Sequence, residues 1–307
     1  MVMIAVSVGW GCSFLLIRDS LQVTGPTGVA LARVAIGAAV LGLLPASRRA
    51  VPRRAWPALT LLAVTWMTLP MVLFALAEQH VSSSTAGMIN GSAPIFTAVV
   101  AALLTARLPR TSRLLGLLVG LLGVSLIGIA GSHEESGARL GVALVAAAVA
   151  LYGVAFNIAG GLQREYGALP VIWRAMLLTT LMLTPFGIPD LLDARLEPRG
   201  ILALTLLGGV STGACFALFA WLAGTLDATR ASVVTYAVPV VALAVGVVLG
   251  GEAVRAPALV GIALVTVAAY LVQRPDLSNS GARLINGSAA PPDPAVASLD
   301  DHNSPGR

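Results

Sequence analysis

Long apolar blocks, divided by short stretches marked with charge or with Pro and Gly, occupy most of this 307-residue chain. With those stretches as boundaries, the pattern predicts helices over residues 2–17, 27–45, 57–77, 85–106 and 113–131. A second set follows over 140–159, 169–187, 200–222, 229–250 and 257–273. A membrane span needs about 20 mainly apolar residues, and the blocks approach that length. The expectation is an all-α integral membrane protein with ten transmembrane helices. Residues 274–307 are rich in Ser, Gly, Ala, Pro and Asp, too polar to span and too poor in large apolar side chains to pack a core. They are expected to form a disordered cytoplasmic tail.

Composition sharpens the picture. Hydrophobic residues make up 57% of the chain and charged ones 11%, against roughly 25% charged in a soluble domain, which removes the soluble-enzyme reading. All 19 basic residues are arginine, a usage that fits high-GC bacterial coding. They gather in connections: Arg48, Arg49, Arg53 and Arg54 between the second and third predicted helices, Arg107, Arg110 and Arg113 between the fourth and fifth. Such an excess marks cytoplasmic loops. The alternate connections carry Glu78 and His80, then Glu134 and Glu135, so both termini are expected in the cytoplasm, with the chain multi-pass in a bacterial inner membrane. The net charge of +5 serves orientation, and no nucleic-acid partner is expected. Cys12 and Cys215 fall inside apolar segments and imply no disulfide framework. The opening MVMIAVSVGWGCSF has no basic region ahead of its apolar run, so no cleaved signal peptide is expected.

The chain also repeats itself. INGSAPIFTAVVAALLTAR (89–107) returns as VTYAVPVVALAVGVVLGGE (234–252), and WGCSF (10–14) meets YGVAF (152–156). Arg33 pairs with Arg174, Pro94 with Pro239 and Gly116 with Gly261, at a spacing of about 141–145 residues. Two copies of a five-helix unit are expected, at residues 1–132 and 133–273. Because five is odd, the second must enter the membrane from the opposite side, the inverted-repeat architecture of secondary transporters.

These motifs resemble the drug/metabolite transporter superfamily, EamA type, over about residues 5–273. The carriers are the aromatic-Gly-x-x-Phe opening of each half, the arginine in each second helix, and the Pro and acidic residue of the fourth helix before a Gly-rich fifth. The family usually closes the fourth helix with Gly-Glu. Gly251-Glu252 keeps that ending, whereas Ala106-Arg107 replaces it in the first half, where arginine suits a cytoplasmic position. The resemblance implies outward movement of amino acids, related metabolites or toxic compounds.

Candidate substrate-cavity residues are Trp10, Arg33, Trp66, Asn90, Tyr152, Asn157, Arg174, Trp221 and Tyr236. An ionisable group within the bilayer is costly and a functional candidate by default. Arg33 and Arg174 could equally snorkel to the headgroups. Asn90 and Asn157 suit either cavity lining or interhelical hydrogen bonds, and the aromatics either cavity walls or an interfacial belt. Pro94, Pro239 and Glu252 are candidates for kinks and gating. The fuller family pattern of the second half predicts that loss of Arg174 lowers transport more than loss of Arg33. Glu78 and Glu252 lie at predicted helix ends and no deeply buried carboxylate is evident, which leaves facilitated exchange open beside proton coupling. His80, His133 and His302 fall in loops or tail, so neither a metal site nor a cofactor is expected. A chain without lysine has no P-loop and cannot drive transport with ATP alone. The expected partners are a small molecule and the lipid bilayer, with a homodimer left open. The competing readings are a non-transporting scaffold or sensor and an intramembrane lipid-modifying enzyme.

Overall fold

The computed structural model describes residues 1–105, 111–131, 137–195, 197–225 and 233–273; at 105, 111–114, 128–131, 223–225, 233, 235, 236, 272 and 273 only the backbone is described. Every regular element among them is helical. The predicted tail and the Arg107, Arg110, His133, Glu134 and Glu135 positions lie outside the described residues.

In chain order the helices are α1 (Val2–Ser20), α2 (Pro26–Gly42), α3 (Trp56–Ala63), α4 (Leu69–Ala77), α5 (Ser83–Asn90), α6 (Ala93–Thr105) and α7 (Thr111–Gly131). They continue as α8 (Ala138–Tyr166), α9 (Ala168–Leu192), α10 (Pro198–Leu206), α11 (Cys215–Thr225), α12 (Val233–Val248) and α13 (Ala256–Gln273). Two π segments, Val64–Thr68 and Leu207–Ala214, join α3 to α4 and α10 to α11 without a break. Six helical runs are long and apolar enough to cross a membrane, and α2, α12 and the described apolar parts of α7 and α13 are shorter.

The predicted fourth helix departs from expectation in one place. It is two helices, α5 and α6, interrupted at Gly91 and Ser92. Pro94 has no N–H to give, and its ring clashes with the carbonyl four residues earlier, that of Asn90. Ser92 Oγ–H donates to the Ile89 carbonyl across the break at 2.7 Å. Pro239, its sequence counterpart, lies inside the continuous α12. The break itself packs there, since a Cβ on Gly91 would stand 2.9 Å from Pro239 Cγ.

Packing joins helices distant in sequence. α7 lies along α13, α2 along α9 and the Leu207–Ala214 segment, α12 along α1 and α5, and α8 along α4 and α6. The α7–α13 crossing is close because a Cβ on Gly123 or on Gly261 would come within 2.7 Å of the other's carbonyl oxygen, an approach that small residues permit. Inside, Leu41, Leu59, Leu62, Met67, Met88, Ile89, Ile172 and Met176 are fully buried. Outside, Leu104, Leu118, Leu181, Phe186, Leu202 and Val248 are exposed, a large apolar surface that suits lipid rather than water.

Side-chain bonds define two ends of the bundle. At one, Arg18 and Ser83 meet Glu252, Arg199 meets Asp19, and Asp190 meets the start of α2. At the other, Arg54 pairs with Glu165 and Arg174 reaches the Ser47 carbonyl.

Candidate functional site

Aromatic side chains from four parts of the chain meet in one string. Trp10 on α1 contacts Phe216 and Phe219 on α11, with ring centroids 5.4 and 5.0 Å apart. Phe216 leads to Trp66 at 5.4 Å, Trp66 to Phe156 at 5.9 Å, and Phe156 stacks on Tyr152 at 5.5 Å. Tyr152 then meets Phe74 at 5.9 Å, and Phe74 meets Phe14 at 5.7 Å. All these separations fall in the favourable range for ring pairs. Helical spacing explains the alignment: Trp10 and Phe14, like Tyr152 and Phe156, stand four residues apart and share a face. Trp66 sits in the first π segment, a local widening that occurs frequently at functional sites. The expected Trp10, Trp66 and Tyr152 are thus brought together. Trp221 is 56% exposed, and the Tyr236 side chain lies outside the described residues.

The two sequence-matched arginines occupy different depths. Arg33 is only 9% exposed, and its Nε donates to Thr212 Oγ1 at 2.9 Å. Thr212, in the second π segment, passes its own hydroxyl hydrogen to the Leu207 carbonyl at 2.8 Å, leaving the oxygen free to accept from Arg33. Arg174 is half-buried, donates Nη1 to the Pro170 and Ser47 carbonyls at 3.2 and 3.4 Å, and lies 5.7 Å over the Trp173 ring. Asn157 Nδ2 donates to the carbonyls of Thr97 and Gly153 at 3.0 and 2.8 Å, which fastens α8 to α6. Asn90 is half-buried at the α5 break, and no hydrogen-bond partner of its amide is found among the described residues.

Glu252 holds a polar clasp. Arg18 Nη1 donates to Oε1 at 2.8 Å and to the Gly250 carbonyl at 3.2 Å. Ser83 gives its N–H and Oγ–H to Oε1, and Ser84 gives both to Oε2. These serines open α5, so the carboxylate also faces the positive end of a helix. Gly251 sits at φ +65°, a left-handed backbone that glycine adopts without a Cβ penalty, and it turns Glu252 back onto the bundle. Burial pushes the Glu252 carboxyl up, but the bonds from Ser84 and Ser83 outweigh it and leave the group below the usual carboxylate range.

One expectation is overturned beside this clasp. Glu78, just past the end of α4, is 7% exposed, and neither carboxyl oxygen finds a hydrogen-bond partner among the described residues. A buried carboxylate therefore does exist. The segment after α4 is covered: Val81 and His80 pack against Gly141 of α8, and His80 against Gly137. A helix end in sequence is here not a surface position. Glu78 lines a cavity of about 340 Å³ together with Arg18, His80, Ser82, Thr85 and Glu252. Sequence reasoning also missed Asp190, whose Oδ2 accepts from the N–H and Oγ1–H of Thr27 and the N–H of Gly28, capping α2 from α9. Of the missed groups, Phe14 and Phe156 carried a signal, as the closing residues of WGCSF and YGVAF.

The model of the EamA-like transporter family matches residues 1–129 and 139–274. The chain belongs to that family. An "Uncharacterized transporter" of Archaeoglobus fulgidus is 26% identical over 86% of this chain and 95% of its own length. A "Probable terminal-alkyne amino-acid exporter" of Streptantibioticus cattleyicolor is 29% identical over 87% of this chain and 90% of that one. One solved crystal structure superposes with a TM-score of 0.58 at 21% identity, covering 89% of this chain and 95% of the other, a likeness of fold. This EamA-like chain is a multi-pass membrane transporter of the drug/metabolite superfamily, with a small molecule as its substrate class and lipid as its surroundings.

Proposed function

We propose that the protein is a secondary transporter that moves a small metabolite outward across a bacterial inner membrane by alternating access. Two inverted five-helix halves, residues 1–132 and 133–273, supply ten spans, with both termini in the cytoplasm and the Glu252 end facing outside. The four shorter apolar helices complete the ten: at about 1.5 Å per residue, the 17-residue α2 covers about 25 Å of a hydrocarbon core about 30 Å thick.

The observation that carries this reading is the helix pairing. Exchanging the halves turns α1 with α12 into α8 with α6, and α2 with the second π segment into α9 with the α3 and first π region, all of which are packed pairs. The pairs α2 with α9 and α7 with α13 map onto themselves, and the π segments occupy matching positions. Chains built in this way hold substrate near the midplane between the halves, where the aromatic string runs between α1 and α8, the opening helices of each half. An amino acid or a related metabolite fits such a site: aromatic faces cover its apolar part and Arg33 offers a charge for a carboxylate. The exporter among the relatives supports the same substrate class.

Counterflow of pooled labelled amino acids and small metabolites into proteoliposomes tests the proposal. Exchange above protein-free vesicles is expected. A folded protein that exchanges nothing across that pool would move the weight to a non-transporting scaffold.

A further inference from the structure

Glu78 is buried, neither of its carboxyl oxygens makes a hydrogen bond of ordinary geometry among the described residues, though the Arg18 backbone N–H lies nearby, and it lines the cavity that also reaches the clasp. An ionised carboxyl without partners in such a place is far costlier than a neutral one. The charged groups that bear on it are Arg18 of α1, with Asp19 beside it, Arg33 of α2, near Tyr152 of α8, and Glu252 of the 249–255 connection, while His80 and Arg255 line the same cavity. Arg18 could serve Glu78, but its Nη1 is engaged by Glu252 and the Gly250 carbonyl. Burial first, then the nearby Glu252 charge, push the Glu78 carboxyl well above its usual range.

We propose that Glu78 is a proton-binding site loaded from the cavity, and that its occupancy is tied to the clasp. With the clasp closed, Arg18 belongs to Glu252 and Glu78 holds a proton on one of its oxygens. When Glu252 leaves Ser83, Ser84 and Arg18, the guanidinium is released toward Glu78, whose O–H bond breaks and returns the proton to the cavity water. The two equilibria are reciprocal: whatever protonates Glu78 closes the clasp, and whatever opens the clasp expels the proton. Because the folded closed state raises the affinity of Glu78 for protons, closure is favoured below that raised range and lost as pH rises through it. The inference rests on the transport reading and adds an energy source to it.

The test uses full-length wild type, Glu78→Gln and Glu78→Asp in proteoliposomes, with counterflow of the labelled pool measured alone and under an imposed proton gradient. Wild type is expected to exchange substrate and to respond to the gradient, E78Q to exchange without responding, and E78D to regain the response. An E78Q response equal to wild type, or wild-type exchange indifferent to the gradient, overturns the proton site and leaves the transporter intact. If folded E78Q does not exchange, E78D decides: recovery of exchange and response supports the carboxyl, and failure overturns it. If even wild type exchanges nothing, the transport reading fails, and a proton titration of the solubilised proteins still judges the site. One proton bound by wild type above the ordinary carboxylate range and missing from E78Q supports it, and identical curves overturn it.

Discussion

The two ends of the bundle are held in different ways. At the Glu252 end the charged groups are drawn inward: Glu252 has a side chain 6% exposed and accepts five hydrogen bonds from Arg18, Ser83 and Ser84. Asp190 caps α2 there as well. At the opposite end, Arg54 and Glu165 pair at 2.9 Å with side chains 76% and 54% exposed, and Arg174 donates to backbone carbonyls. Water screens the second set more than the Glu252 clasp. The contrast says which end would serve as the latch under the proposed alternation: bonds made largely out of water are costly to break one at a time and are best released together, whereas surface pairs give way without a threshold.

Removing Glu252 should therefore have the largest effect. Glu252→Ala leaves two serine N–H groups, two hydroxyls and Arg18 without their acceptor. The expected loss is about 3 kcal/mol, the low end for breaking a buried ion pair, because Arg18 keeps partial contact with solvent. Thermal unfolding of the purified protein measures it. The sign with pH follows from the lowered carboxyl of Glu252: its contribution is present above the unfolded carboxylate range and is lost as pH falls through the lower folded value. The gap between E252A and wild type should close in strong acid, and a pH-independent gap would show that charge is not what holds this end.

Arg33 and Arg174 extend the contrast to transport. The fuller motif of the second half puts Arg174 first, but depth argues the reverse order. Arg33 is buried on Thr212, while Arg174 is half-buried near the other end. Arg33→Ala should lower counterflow per folded molecule on the order of tenfold, the weight of a hydrogen bond to a charged group. Arg174→Ala should lower it less, and the opposite ranking would detach Arg33 from the transport path.

How far the sequence could be read follows from what each feature depends on. The helices were legible because apolar blocks of span length are local facts, and the shared motifs made the matching π segments and the Gly-rich α7–α13 pair intelligible afterwards. Trp10, Trp66 and Tyr152 could be nominated from residue type and position, yet Phe216 joins them only because α11 packs beside α1 and the first π segment. Glu78 was misjudged for a related reason. A carboxyl at a helix end is ordinarily solvated, but here α8 covers the segment that follows it. Asp190 left no trace, since its role is to accept from residues more than 160 positions away.

Asp190 gives a smaller prediction at the same end. Asp190→Ala removes the acceptor of the Thr27 and Gly28 N–H groups in the first turn of α2, where Pro26 gives up no N–H of its own. A lost cap costs about 1 kcal/mol, up to about 2 in a protein context. A loss well below that of E252A is expected in the same unfolding measurement. If the two prove equal, the latch is no stronger than a helix cap and the distinction between carboxylates at this end disappears.

The smallest effect belongs to the opposite end. Arg54→Ala breaks an ion pair that lies in the open, with Tyr166 donating its hydroxyl to the same Glu165 oxygen at 2.6 Å. Exposed pairs of this kind hold little against solvent and side-chain entropy, and Tyr166 remains to satisfy Glu165. Unfolding and counterflow should both match wild type, at low salt as at high. A clear loss that salt abolishes would mean that this end, too, is held by its charges, and the bundle would then carry a latch at each end, as strict alternation between two closed states requires.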